Sequence, residues 1–206
     1  MKNIETREGI ELRIDQGAED APPKIVGYAA VFDSLSKDLG GFREKIQQGA
    51  FATSIENKDE VRALFNHDSD MLLGRLGSGT LRLWEDKHGL GIEIDPPNTN
   101  AGRDVVELLR RGDLASMSFG FFDTQDSWET DEQGGDIRTI NSARLFDVSV
   151  VTSPAYEATS VTVRHEQALK SLEEYRKEVI EQSTNFDAVG ETVDIRLRLR
   201  LAETSD

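Results

Sequence analysis

The chain has 206 residues, a formal net charge of −15 at pH 7 and no cysteine. That length suits one domain with a real core plus an appendage, and the missing thiols exclude disulfides, thiolate zinc sites and a cysteine nucleophile. The acidic balance argues against a nucleic-acid partner, which needs clustered Lys and Arg; MKNIETREGIELR has no apolar stretch after its first charges and no run of about 18 apolar residues occurs, so neither export nor a membrane span is expected.

In chain order, Ile10 to Ile14 and Lys24 to Phe32 read as short strands. Phe42, Ile46, Phe51 and Ile55, set among charges from Phe42 to Asn57, predict a helix or two interrupted near Gly49. Strands are expected over Val61 to His67, Leu72 to Leu83 and Leu90 to Ile94, with a turn at Glu85 to Gly89 and a stop at Pro96 and Pro97. The clearest helix follows. Asn98, Thr99 and Asn100 are its candidate N-caps, Val105, Val106, Leu108 and Leu109 share a face, and Gly112 ends it.

That helix delivers the chain into a strand holding Ser118, and an acidic, mobile loop is expected from Thr124 to Asp136. Strands are then predicted at Ile137 to Ile140 and Leu145 to Val151. His165 to Gln182 has a charged helical pattern, and residues 192–201 alternate apolar and mainly basic side chains as a strand would. A boundary near Arg164 divides a main domain, residues 1–164, from a C-terminal tail, residues 165–206. Many short strands with one good helix predict a β-rich α+β domain, a small barrel or closed sheet.

Three segments carry chemistry. In GDLASMSFGF (112–121) strand alternation sets Ser116, Ser118 and Gly120 on one face, opposite Met117, Phe119 and Phe121. A serine hydroxyl needs a nearby base to attack at neutral pH, and histidine is the natural choice. Of the three histidines, His88 falls in a turn and His165 where the core ends, which leaves His67, beside Leu64 and Phe65 at a strand end. Asp147 sits inside LFDVSVV, where burying a carboxylate is costly unless it is paired. Asp68 and Asp70 are rival orienting carboxylates, or turn residues, and with His67 they also permit a metal-dependent hydrolase. Ser116 is the lesser nucleophile candidate. Gly120 leaves room for a substrate backbone on the serine face.

The order His67, Ser118, Asp147 matches none of the chymotrypsin, subtilisin or α/β-hydrolase orders, and no GxSxG elbow is present. The segments GYAAVFD (27–33), GGFREKIQQGAF (40–51), LFNHD (64–68), LLGR (72–75), RRGDLASMSFGF (110–121) and LFDVSVVTSPA (145–155) resemble the prohead maturation proteases of tailed bacteriophages. The likeness runs from about Lys24 to Ala158. It implies a serine peptidase with a β-barrel wrapped by helices, similar to the herpesvirus assembly proteases. It also implies His67 as base and Ser118 as nucleophile, while Asp147 stands where the herpesvirus enzymes use a second histidine. The implied substrates are the scaffold protein or a scaffold-like segment of the major capsid protein, cut inside the procapsid in the host cytoplasm, with self-cleavage. No metal or organic cofactor is implied, and a homo-oligomer stays open. A non-catalytic assembly protein that keeps the fold is the alternative, favoured if Ser118 or His67 is buried and the two lie far apart.

Overall fold

The computed structural model describes residues 5–9, 11–15, 22–152 and 162–187. The strand expected at residues 192–201 lies outside them. A strand the sequence does not predict, β1 (Glu5–Gly9), precedes the one expected at Ile10 to Ile14, which is β2 (Glu11–Asp15); β3 (Lys24–Val31) follows. The helix expected from Phe42 is instead a strand, β4 (Phe42–Ile46), and only a short helix, α1 (Ala52–Glu56), follows the turn at Gly49. The period there is two: Phe42, Glu44 and Ile46 are buried, Arg43 and Lys45 half-buried. Glu44 reads locally as a solvent-facing charge, but the buried guanidinium of Arg138 binds it at 3.0 Å.

Next come β5 (Arg62–Phe65), β6 (Asp68–Arg75), β7 (Leu81–Glu85) and β8 (Gly89–Ile94). A 3-10 turn at Leu76–Ser78 divides the single strand expected over Leu72 to Leu83. The helix α2 (Asn100–Arg111) forms as its pattern predicts, with the Thr99 hydroxyl accepting from the Gly102 N–H at 3.2 Å. Gly112 closes it at φ 78°, a left-handed conformation that costs glycine little.

The loop expected from Thr124 to Asp136 is mostly strand. β9 (Ser116–Thr130) and β10 (Asp136–Val151) form one long antiparallel hairpin, turning over Asp131 to Gly135. Its acidic residues have partners that no local pattern reveals: Asp126 binds Arg138 across the hairpin, and Asp136 binds Arg176 of the final helix, α3 (Thr162–Asp187). The boundary expected near Arg164 falls close to the start of that helix.

The strands make two sheets, β1-β9-β10-β5-β6 with β4 also on β10, and β2-β3-β8-β7. β4 and β5 run parallel to β10 and occupy successive lengths of it, at Asp136 to Ile140 and at Asp147 to Val150. The fold is mixed α+β and strand-rich. The described residues form no closed barrel: the chain passes from β1 to β2 and from β6 to β7 between edges that are not hydrogen-bonded to each other. Ile25, Leu90, Ile92 and Ile94 of the smaller sheet meet Met117, Phe119, Phe121, Val148 and Val150 of the larger in one core. A second cluster, around Phe42, Trp128, Ala168 and Leu172, fixes α3 on the outer half of the hairpin.

Candidate active site

Ser118, Asp147 and His67 come from three neighbouring parts of the larger sheet: β9, β10 and the turn joining β5 to β6. In β9 the predicted alternation holds. Met117, Phe119 and Phe121 enter the core, which turns Ser118 and Gly120 to the opposite face.

Asp147 reaches that same face through a bulge. In a regular strand it would share the core-facing side of Leu145, two residues earlier. The register instead shifts by one residue, because Leu145 pairs with Phe121 whereas Asp147 pairs with Gly120. Leu145 and Val148 therefore both lie in the core, and Asp147 and Ser149 share the site face. Ser149 pairs directly with Ser118.

His67 stands in a two-residue hairpin turn. Phe65 pairs with Asp68, and both central residues have positive φ, 52° at Asn66 and 57° at His67, as a type I′ turn requires. Asparagine suits the first position; histidine is an uncommon occupant of the second, where glycine is usual. The turn is anchored to β10: the Asn66 N–H donates to the Val150 carbonyl at 2.9 Å, and Asn66 Oδ1 accepts from the Thr152 N–H at 3.0 Å.

The side chains then form one chain of hydrogen bonds. Ser118 Oγ lies 2.8 Å from His67 Nε2, and His67 Nδ1 lies 2.7 Å from Asp147 Oδ1. With the proton on Nδ1, donating to the carboxylate, Nε2 is free to accept the serine proton. Ser149 Oγ donates to Asp147 Oδ1 at 2.8 Å and lies 3.2 Å from His67 Nδ1. Ser118 and Ser149 are fully buried and Asp147 is 3% exposed, whereas the His67 side chain is 24% exposed. Solvent reaches the group from the imidazole side.

The rival assignments separate from this group. Ser116 opens β9 opposite Val151, and both imidazole nitrogens are engaged elsewhere. Asp68 Oδ1 accepts from the Asp70 N–H at 2.9 Å, a local turn contact. His88 sits in the β7–β8 turn with its ring edge on Tyr28, and His165 belongs to α3. Arg144 pairs with Asp59 and lies over the Phe122 ring, well along β9 from Ser118, so its guanidinium is not placed beside the nucleophile. Among the described residues no group of three or more His, Asp or Glu could hold a metal ion. None of the described helices is long and apolar enough to cross a membrane.

A family model described as caudovirus prohead serine protease matches residues 8–177. The chain belongs to that family. It is a protease of capsid maturation by family, and the match spans β2 to β10 as well as the first part of α3. Among solved structures, the bacteriophage T4 capsid assembly protease, gp21, aligns over 73% of this chain and 99% of that chain, at 12% identity and a TM-score of 0.42. No curated protein matched.

Two residues of this candidate site escape sequence reasoning. Ser149 looks like a filler in an apolar run; its one signal is that it stands two residues from Asp147 on a strand, hence on the same face. Asn66 reads as a loop asparagine, and its signal is the two-residue gap before the next strand.

Proposed function

We propose that this protease is a serine endopeptidase in which Ser118 is the nucleophile, His67 the general base and acid, and Asp147 the group that orients the imidazole. The observation that carries this reading is the continuous Ser118–His67–Asp147 hydrogen-bond chain at 2.8 and 2.7 Å. Ser118 Oγ attacks the scissile carbonyl carbon while His67 Nε2 takes the hydroxyl proton, and the carbonyl electron pair moves onto oxygen. Collapse of that intermediate breaks the C–N bond, and Nε2 returns the proton to the departing amine. Water then repeats the sequence on the acyl-enzyme, releasing the acid and restoring Ser118. Asp147, nearly excluded from water, stabilises the transient imidazolium more strongly than an exposed carboxylate would.

The substrates are the scaffold protein or the scaffold-like segment of the major capsid protein, cut inside the procapsid in the host cytoplasm, and the protease also cuts itself. Membership of the prohead protease family supports this choice. A non-catalytic assembly role predicts a dispersed Ser118 and His67, and their contact argues against it. Co-expression with the cognate capsid and scaffold proteins, followed by intact-mass measurement, tests substrate and nucleophile together. The expected result is defined cleavage products with the unaltered chain and none with Ser118→Ala. Undiminished processing by Ser118→Ala would sink the serine mechanism.

A further inference from the structure

We propose that Ser149 is a positioning residue of this site: its hydroxyl fixes the Asp147 carboxylate, and through it the His67 ring, in the orientation that lets Ser118 react. The inference rests on the serine-protease reading above and adds a residue to it.

A single carboxylate oxygen, Asp147 Oδ1, accepts from both His67 Nδ1 at 2.7 Å and Ser149 Oγ at 2.8 Å. The histidine bond alone leaves the carboxylate free to rotate about its terminal torsion, which is soft in aspartate. A second donor, built on the same strand two residues away, removes that freedom. Ser149 Oγ also lies 3.2 Å from His67 Nδ1, so the Nδ1–H is shared unequally between the carboxylate and the hydroxyl oxygen. The hydroxyl therefore donates to one member of the pair and accepts from the other. It selects the Nδ1–H tautomer, the one that leaves Nε2 to receive the Ser118 proton.

The surroundings add to the case. Ser149 is fully buried on β10 and sits directly opposite Ser118 on β9. A buried hydroxyl without a partner is costly, and these two contacts satisfy it. The bulge that brings Asp147 to the site face brings Ser149 with it, so one irregularity of the strand places both groups.

The test compares Ser149→Ala and Ser149→Thr in the full chain. Two readouts are used: cleavage of a peptide spanning a capsid-protein site mapped by mass, and the rate at which a fluorophosphonate probe labels Ser118. Ser149→Ala is expected to lower kcat and the labelling rate by about 10- to 100-fold, the equivalent of one hydrogen bond to a charged group. KM and the melting temperature should stay near their original values, and Ser149→Thr, which keeps the hydroxyl, should recover most of the loss. In an Asp147→Ala background the Ser149→Ala change should cost clearly less, because most of its effect passes through Asp147 and only the longer contact with His67 Nδ1 remains. Unchanged kcat and labelling in Ser149→Ala, a rise in KM alone, or an undiminished loss in the Asp147→Ala background would each overturn the proposal. Those results leave the catalytic triad intact if Ser118→Ala is inert, whereas processing by Ser118→Ala removes the triad reading itself.

Discussion

Removing the Ser118 hydroxyl deletes one buried oxygen and leaves Met117, Phe119 and Phe121 packed as before. Ser118→Ala is therefore expected to fold with an unchanged melting temperature, while substrate processing, followed by intact mass, falls to background. Ser116→Ala should retain activity, since the imidazole nitrogens are engaged by other partners. His67→Ala should be as damaging as Ser118→Ala in steady-state kcat, and the double variant scarcely worse than either, because the members act as a unit. Asp147→Asn should cost less than loss of Ser118, up to about 10⁴-fold, since the amide keeps the shape but favours the wrong imidazole tautomer. At this scale the residues that the sequence singles out are the ones the fold brings into contact. Asp147 stands out because a carboxylate in an apolar run demands a partner, and His67 because few histidines compete. Ser149 does not stand out, because a buried serine within LFDVSVV is chemically ordinary until its neighbours across space are known.

The elements were legible where local signals decide the outcome, as at α2 with its Thr99 cap and Gly112 stop. They were not legible where tertiary partners satisfy charges. The β4 strand and the outer half of the β9–β10 hairpin look like solvent-facing helix and loop because Glu44, Asp126 and Asp136 meet Arg138 and Arg176 only after folding. Two predictions belong here. Asn66→Ala removes both a residue suited to positive φ and the contact with Thr152, so it should destabilise the β5–β6 turn by about 1–2 kcal/mol and lower kcat. Chemical denaturation alongside peptide kinetics would check both parts; a stable, fully active variant would show that the turn does not depend on Asn66. The second concerns the hairpin tip. The Gly135 N–H, with the Gln133 N–H and Arg43 adding to its effect, holds the Asp131 carboxyl below the usual carboxylate range. The folded pKa is depressed, so this support is present at neutral pH and is lost as pH falls through the depressed value. Protection of the Gln133 and Gly135 amides from hydrogen exchange, relative to the intrinsic rate at each pH, should fall only on acidification below the ordinary carboxylate range, and Asp131→Ala should abolish that dependence.

At the scale of the molecule, sequence patterning captures the strand-rich α+β class but not the division into two sheets. Closure into a barrel depends on whether edges pair. The 3-10 turn at Leu76–Ser78 separates β6 from β7 within what reads as one strand. The same distribution of packing bears on the tail. The main core joins the two sheets and includes the inner faces of β9 and β10, which carry Ser118 and Asp147 on their other side, whereas α3 contributes Ala168 and Leu172 to a separate cluster with Phe42 and Trp128. Deleting residues 165–206 removes the second cluster's cover and the Arg176–Asp136 ion pair while leaving the first cluster whole. The loss is on the order of 3 kcal/mol, chiefly from apolar burial, and for a chain of this size it lowers the melting temperature by about 10 °C. The truncated protein should therefore still fold cooperatively and cleave a supplied peptide at close to the original kcat, consistent with a protease domain over residues 1–164. An unfolded truncation would place α3 within the folding unit, and a folded but inactive one would mean that the outer hairpin, although far along the strands from Ser118, controls the register that positions Asp147 and Ser149.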